Sequence, residues 1–148
     1  MRDLLNVGVI GCGYWGPNLI RNLNALLDCS VKTICDKSLD RLEHMQKLYR
    51  DVKTATNADV IINDPDIDAV VIATPVYTHY ELAIECLMAG KHTFIEKPMA
   101  SSVMQCKELV ETAERNNLTL MTGHTFIYSS PVRKVKDILD SGEIGDLL

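Results

Sequence analysis

Residues 4–19, LLNVGVIGCGYWGPNL, place a glycine-rich turn between an apolar run and a stretch with the pattern of a helix. Residues 4–10 predict a buried strand, because an apolar segment of this length that ends at glycine suits a parallel sheet. Beyond the turn, Pro17 stands where the first turn of a helix tolerates proline. An apolar stripe continues the helix and consists of Leu19, Ile20, Leu23, Leu26 and Leu27. The stretch therefore predicts a strand, a tight turn and the first crossover helix of an α/β fold.

Four further apolar runs are separated by helix-like or turn-rich stretches, and we predict a strand in each, at residues 31–35, 69–72, 93–95 and 118–121. Between Asp51 and Asp68 the pattern weakens. We expect there a short strand near residues 54–56, a short helix around residues 58–62 and an Asp64-Pro65-Asp66 turn. Right-handed crossovers then build an α/β fold with a doubly wound parallel sheet.

Capping residues and glycines mark the ends of the other helices. Ser38 is predicted to cap a second helix through Tyr49, and Gly90 is predicted to end a third that begins at Thr78 or His79. A fourth helix is predicted to begin at Ser101 or Ser102. After Gly123 the pattern changes to an irregular segment and an amphipathic helix, residues 131–139, which stops near Ser141-Gly142.

The domain boundary is predicted at this change of pattern. Residues 1–124 form one α/β domain, and residues 125–148 form a connecting segment and helix that lead into a second domain. A new strand is predicted to start at Gly145-Asp146-Leu147-Leu148, so we expect the second domain to be truncated in this chain.

Composition excludes several classes of function. Fifteen basic and twenty acidic residues give a net charge of −5, which disfavours a nucleic-acid partner. The N-terminus lacks the pattern of a signal peptide and no apolar run reaches membrane-spanning length, so we expect a cytoplasmic protein without a membrane partner. The five cysteines form no Cys-x-x-Cys pair, and we predict reduced core residues and no metal site. A reactive thiol at Cys12, beside the glycine turn, is the less favoured alternative.

The glycine turn has the pattern that cradles a dinucleotide pyrophosphate. Gly11 permits the tight turn, Gly13 lets the backbone approach the phosphates, and Gly16 lets helix and strand pack closely. The N–H groups of Tyr14 and Trp15 and the dipole of the following helix are predicted to bind the negative charge. The alternative is a merely structural glycine turn, but a preceding strand and a following helix favour cofactor binding.

An acid ends the second predicted strand. Asp36 stands where a carboxylate meets the adenosine ribose hydroxyls, which favours NAD and would repel the 2′-phosphate of NADP. Lys37 and Arg41 lie close enough in sequence to attract that phosphate, so NADP stays possible. Taken alone, Asp36 could equally be only a helix-capping residue.

Two further motifs follow strands and so fall at the same edge of the predicted sheet. Thr74, Pro75 and His79 are predicted to line the nicotinamide side of the cleft, although helix capping explains Thr78 equally well. Glu96-Lys97-Pro98 places an acid and a base together. Lys97, held by the neighbouring carboxylate, is the candidate acid-base residue for dehydrogenation, whereas a solvated charged turn is the alternative.

The ordered motifs resemble the glucose-fructose oxidoreductase / inositol dehydrogenase family, Gfo/Idh/MocA, over essentially the whole chain. The resemblance rests on the glycine turn, Asp36, Ala73-Thr74-Pro75 with His79, Glu96-Lys97-Pro98, and the segments Ala89-Gly90-Lys91-His92 and Ser141-Gly142-Glu143-Ile144-Gly145. It implies an NAD(P)-dependent sugar or cyclitol oxidoreductase with an N-terminal Rossmann domain, a C-terminal α/β domain and a homo-oligomeric full-length form.

The same resemblance assigns roles to the Glu-Lys-Pro motif. It implies that Lys97 contacts substrate and cofactor, that Glu96 bonds the nicotinamide ribose and that Pro98 follows a cis peptide bond. A histidine, and often an aspartate, from the C-terminal domain completes acid-base catalysis in the family, and we expect this chain to end before them. A non-catalytic NAD(H)-binding sensor or structural module is the alternative function.

The segment Thr125-Phe126-Ile127-Tyr128 departs from the Asn-Phe-Arg-Phe of many relatives, because the usual arginine is missing. Together with Tyr14-Trp15-Gly16-Pro17-Asn18, it resembles a subgroup associated with nucleotide-sugar dehydrogenases that make amino- or keto-sugars. A sugar or nucleotide sugar is therefore the substrate class that the resemblance implies.

Overall fold

The computed structural model describes residues 4–145. Its six strands are β1 (Leu5–Ile10), β2 (Cys29–Cys35), β3 (Lys53–Ala55), β4 (Ala69–Ile72), β5 (His92–Ile95) and β6 (Leu120–Thr122). All neighbouring strands are parallel and the order across the sheet is β3-β2-β1-β4-β5-β6. The order reverses between β1 and β4, so the predicted doubly wound α/β fold is confirmed.

Six α-helices connect these strands and follow the last of them: α1 (Gly16–Asn24), α2 (Leu39–Leu48), α3 (Asp59–Ile62), α4 (His79–Met88), α5 (Val103–Arg115) and α6 (Ser130–Ser141). The predicted caps Ser38 and Ser102 are confirmed, because each hydroxyl accepts the amide three residues further on. Gly90 and Gly142 have φ values of +79° and +73° after α4 and α6, where a helix commonly ends in the left-handed conformation.

Two apolar clusters cover the two faces of the sheet. Successive residues of a strand point to opposite faces, and Val9 accordingly belongs to one cluster and Ile10 to the other. Helices α1 and α2 pack against the Val9 cluster through Ile20, Leu42 and Met45. Helices α3, α4 and α5 supply the buried residues on the opposite face, so both faces of the central strands are covered, as a parallel sheet requires.

Several predicted boundaries are wrong, including the start of β2, which lies at Cys29 instead of residue 31. Helix α1 ends at Asn24, so Leu26 and Leu27 do not continue its apolar stripe and are 54% and 98% exposed. Strand β6 begins at Leu120 instead of residue 118, because the Leu118 amide donates to the Ala113 carbonyl of α5. Asn117 has a φ of +54°, so residues 117 and 118 form the left-handed end of the preceding helix.

The segment after β6 differs from the rest of the chain in its packing. Residues 125–128, predicted to be irregular, form a short 3₁₀ helix, and α6 packs against it with every residue of the helix at least partly exposed. Of the strand start predicted at residues 145–148, only Gly145 lies within the described residues. Between residues 4 and 145, no helix is long and apolar enough to cross a membrane.

Candidate functional site

The glycine turn after β1 packs directly against the loop after β4, at the point where the strand order reverses. Gly11 has a φ of +103°, and a Cβ built on it would lie 2.6 Å from the Ala73 carbonyl oxygen and 3.0 Å from the Thr74 methyl carbon. Only glycine fits this position without strain. Ligands of open α/β sheets bind at the carboxyl ends of the strands beside such a reversal, which makes this edge the candidate site.

The turn presents a row of free backbone amides. Within the part of the chain that the structure describes, the N–H groups of Gly13, Tyr14, Trp15 and Gly16 have no protein acceptor, whereas those of Asn18 and Leu19 both donate to the Trp15 carbonyl at the start of α1. Unpaired amides at a helix N-terminus form an anion site, because their dipoles add to that of the helix. The glycine turn therefore offers free donors where the pyrophosphate is predicted to bind.

The other two glycines of the turn differ in the space around them. A Cβ on Gly16 would collide with the Gly11 carbonyl oxygen, so this glycine lets α1 pack against the turn. A Cβ on Gly13 would have only the Arg41 Nη1 near it, at 4.0 Å. Gly13 therefore faces open space on the side where a ligand can approach the backbone.

Two aromatic side chains project from the same turn. Tyr14 is 84% exposed and Trp15 is 48% exposed, and their rings pack edge to face with centroids 5.3 Å apart. The structure thus brings these two residues to the site through their backbone amides, while their rings form an exposed apolar rim.

Asp36 is tied to the glycine turn by a bond that the sequence did not predict. Its Oδ2 accepts the Cys12 amide at 2.7 Å and its Oδ1 accepts the Ser38 amide at 2.8 Å. The helix-capping interpretation is met in part, because the carboxylate supports the start of α2, and the contact with the adenosine ribose stays a prediction. Each oxygen keeps a second lone pair, so both can still accept a ribose hydroxyl.

Arg41 lies beside Asp36. Its Nη1 lies 3.6 Å from Asp36 Oδ2, and its side chain is 57% exposed. The guanidinium is thus near both Asp36 and Gly13, where it partly neutralises the carboxylate. Lys37 is exposed at the same edge.

The loop after β4 is held by side-chain bonds that differ from the predicted ones. Thr78 precedes α4 in the capping position, but its hydroxyl makes no cap bond. It donates to the Pro75 carbonyl at 2.8 Å, and its oxygen lies 2.7 Å from Thr74 Oγ1, where the Thr74 hydroxyl can donate to it. Pro75 is exposed at the edge. His79 is only 1% exposed and both ring nitrogens contact backbone carbonyls, so the ring lies beneath the loop and not on the predicted cleft lining.

Glu96, Lys97 and Pro98 follow β5 at the same edge, and the implied cis bond before Pro98 is present. Glu96 is buried, and its Oε2 accepts the Lys97 amide at 3.2 Å. The Lys97 side chain is exposed and, among residues 4–145, its ammonium takes part in no salt bridge. The prediction that the Glu96 carboxylate holds this ammonium is therefore wrong, because the carboxylate turns to the backbone.

Gly123 packs against the Glu96 side chain, a contact that the sequence pattern does not predict. A Cβ on it would lie 3.2 Å from both Cδ and Oε1 of Glu96 and 3.1 Å from the Phe94 ring. This glycine leaves the space in which the Glu96 carboxyl group lies. Its position directly after the last strand was the available signal.

The buried cysteines are poor nucleophiles. Burial raises the pKa of the Cys12 thiol to about 12, and the Asp36 carboxylate adds to the rise. Burial likewise raises the pKa of Cys35 to about 11 and that of Cys86 to about 12. A thiol reacts as its thiolate, so the interpretation of Cys12 as a small core residue is favoured over a reactive one.

Alkylation of the native chain with iodoacetamide at pH 8 is expected to leave Cys12, Cys35 and Cys86 unmodified, whereas all five cysteines react in urea. Peptide mass spectrometry measures both. The ordinary thiol pKa is 9.0, so stability is unaffected by these raised values below pH 9 and falls as the pH rises towards about 12. Rapid native labelling of Cys12 would contradict the assignment.

Comparison with known proteins gives consistent matches. Residues 5–124 match the family model described as an oxidoreductase family with an NAD-binding Rossmann fold. The chain is 31% identical to myo-inositol 2-dehydrogenase of Thermotoga maritima over 95% of this chain and 42% of that protein. It is 36% identical to a glycosyl hydrolase family 109 protein of Shewanella baltica over 99% of this chain and 34% of that protein.

A solved structure shares the fold described above. A 3-ketoreductase from Actinomadura kijaniata, in complex with NADP and TDP-benzene, aligns with a TM-score of 0.85 at 28% identity, over 95% of this chain and 43% of that one. The chain spans about two fifths or less of the length of these relatives.

Proposed function

Because this chain belongs to the oxidoreductase family with an NAD-binding Rossmann fold, we propose that it is the cofactor-binding part of an NAD(P)-dependent oxidoreductase. The proposed reaction is at a CH–OH group of a sugar, cyclitol or nucleotide sugar. One observation supports it most: four free amides, Gly13 to Gly16, lie at the start of α1 beside the Asp36 carboxylate.

These residues fit a dinucleotide in charge and in shape. The amides and the α1 dipole suit the pyrophosphate, and Gly13 leaves its approach open. Asp36 offers acceptors for the adenosine ribose hydroxyls. When bound, the nicotinamide ring would accept or donate the hydride.

The residues at the proposed adenosine side favour different cofactors, so the preference for NAD or NADP must be measured. Asp36 would repel a 2′-phosphate and so supports NAD, while Arg41 and Lys37 would attract one and keep NADP possible. The ketoreductase with a similar fold was solved with NADP. We propose NAD as the preferred cofactor because the buried carboxylate lies nearer to the turn than the exposed cations do.

Lys97 is the proposed acid-base residue. It is exposed at the carboxyl edge of the sheet and, in the described part of the chain, is not neutralised by an ion pair. Its ammonium can donate a proton to a substrate carbonyl when hydride arrives, and its neutral amine can take the proton of a substrate hydroxyl when hydride leaves. Glu96, Thr74 and Pro75 lie at the same edge and are proposed to contact the nicotinamide half, so the edge carries both halves of the cofactor site.

The substrate class rests on the relatives. One carries the name of an inositol dehydrogenase, which supports a polyhydroxylated ring. A 3-ketoreductase was solved with TDP-benzene, which supports a nucleotide-linked substrate. The glycosyl hydrolase name of a third favours a second candidate, in which the same cofactor site serves a net hydrolysis. Accumulation of NADH in the presence of substrate would distinguish net oxidation from net hydrolysis.

We also propose that the full-length protein is a homo-oligomer.

Titration of the chain with NADH, followed by nucleotide fluorescence, tests cofactor binding. Saturable enhancement that NAD⁺ reverses is expected, with weaker binding of NADPH. Absence of binding even at millimolar NADH would overturn the proposal.

A further inference from the structure

His79 contacts two loops of the candidate site at once. The residue begins α4 and is 1% exposed. Its Nε2 lies 2.7 Å from the Thr74 carbonyl oxygen, in the loop after β4, and its Nδ1 lies 2.8 Å from the Pro98 carbonyl oxygen, in the loop after β5. The ring therefore spans the gap between the two loops.

Both partners of the ring are acceptors. A carbonyl oxygen has no proton to give, and a neutral imidazole donates from only one of its two nitrogens. If the ring carried only one proton, the lone pair of its other nitrogen would face a lone pair of a carbonyl oxygen in one of these short contacts. Both contacts are hydrogen bonds at the same time only when Nδ1 and Nε2 both carry a proton.

The two bonded carbonyls belong to different halves of the site. Thr74 lies against the glycine turn, since its methyl carbon would be 3.0 Å from a Cβ on Gly11. Pro98 directly follows Lys97. The His79 ring thus connects the loop that packs on the glycine turn with the turn that carries the exposed lysine.

We propose that His79 is a positioning residue that, with a proton on each ring nitrogen, fixes the Lys97 turn relative to the glycine turn. Its effect on catalysis rests on the proposed function, whereas the hydrogen-bonded bridge does not. His79 acts through the backbone carbonyls of Thr74 and Pro98. Both of its ring nitrogens are used in these contacts, so neither is available to a cofactor.

The bridge itself is tested without any ligand. Long-range ¹H–¹⁵N correlation spectra of the ¹⁵N-labelled wild-type chain at neutral pH are expected to show that both His79 ring nitrogens carry a proton. A ring with a single N–H would overturn the bridge, because one of the two carbonyls would then lack a donor.

Two substitutions test the hydrogen bonds to Thr74 and to Pro98 one at a time. The side-chain amide nitrogen of His79→Asn corresponds to Nδ1 and can still donate to Pro98, whereas that of His79→Gln corresponds to Nε2 and can still donate to Thr74. The readout is the NMR signal of ¹³C-methylated Lys97, assigned with Lys97→Arg, and its shift on addition of NADH. We expect His79→Gln to lose this shift and His79→Asn to retain part of it, with NADH affinity changed less than about threefold.

Lys91→Met is the matched control. Lys91 is also buried, at 6% exposed, and its Nζ also donates to two backbone carbonyls, of Asp64 and Ile67, at 2.6 Å and 2.8 Å. These residues precede β4 and β5 and so lie at the opposite edge of the sheet. The control is expected to lower stability while keeping the Lys97 shift.

The outcomes are distinct. An unchanged Lys97 shift in His79→Gln, or an equal loss in Lys91→Met, would overturn the positioning role. Should the variants fail to fold, the wild-type ring spectrum still decides the bridge. A wild-type chain that binds no NADH would contradict the proposed function, and a ring with two N–H groups in that chain would still support the bridge.

Discussion

Gly13→Ala is expected to leave the fold intact and to weaken NADH binding by about tenfold or more, equivalent to about 1.4 kcal/mol. The added methyl group meets no protein atom closer than the Arg41 Nη1, at 4.0 Å, so the folded chain accommodates it. It would instead occupy the open side of the turn, where a pyrophosphate must approach the free amides. Urea unfolding and NADH fluorescence measure the two effects separately.

Gly16→Ala provides the contrast in the same turn. Its methyl group would collide with the Gly11 carbonyl oxygen, so α1 must move away from the turn. Such overpacking costs about 1–3 kcal/mol of unfolding free energy, and the displaced amides should lose NADH as well. Wild-type affinity in Gly13→Ala, or unchanged stability in Gly16→Ala, would contradict these roles.

Gly142→Ala is the control for both variants. Gly142 has a φ of +73° and open space around it, at the end of α6. Alanine there is strained and should cost about 1 kcal/mol of stability. NADH affinity should stay at the wild-type value, which separates a loss of stability from a loss of the site.

Strands were the most predictable part of the fold, because buried parallel strands give short apolar runs with clear ends. The strand predicted at residues 69–72 has those bounds in the structure as β4. The end of α1 was not predictable from its apolar pattern. Leu26 and Leu27 continue the helical spacing in sequence, but the chain leaves the helix at Asn24, and the pattern contains no glycine or proline that would mark this end.

The location of the site was predictable, but its internal bonds were not. Residues that follow strands meet at one edge of a parallel sheet, which correctly brings Gly11, Thr74 and Lys97 together. The bond from the Cys12 amide to Asp36 joins positions 24 residues apart, and the bond from His79 to Pro98 joins positions 19 apart. Sequence patterns describe spacing along one element, so they do not show which polar group a side chain reaches across the fold.

This limit also explains why sequence reasoning misassigned the Glu96 carboxylate. Adjacent opposite charges suggested an ion pair with Lys97, but successive residues at a strand end point in different directions. The structure places the carboxyl group beneath Gly123 and the lysine in the open. Lys97 is consequently free for chemistry, while Glu96 is held by its surroundings.

In the full-length protein, Lys97→Met is expected to lower kcat by about 10²- to 10⁴-fold. This is the usual contribution of a positioned acid-base group. NADH affinity should change little, because in the proposed site the free amides and Asp36 would bind the cofactor without this side chain. Methionine keeps most of the side-chain volume and removes the ammonium, so the loss reports the proton-carrying group. NADH formation with myo-inositol and with a panel of TDP-sugars measures turnover, and fluorescence titration measures affinity.

Lys107→Met is the control, since Lys107 is also exposed but lies on α5, in the interior of a helix and not at the loop edge. It removes the same charge and should leave both kcat and NADH affinity unchanged. A parallel loss of NADH affinity in Lys97→Met would assign Lys97 to cofactor binding instead of proton transfer. Full turnover in Lys97→Met would reject any catalytic role and would leave the free ammonium at this edge as a solvated surface charge.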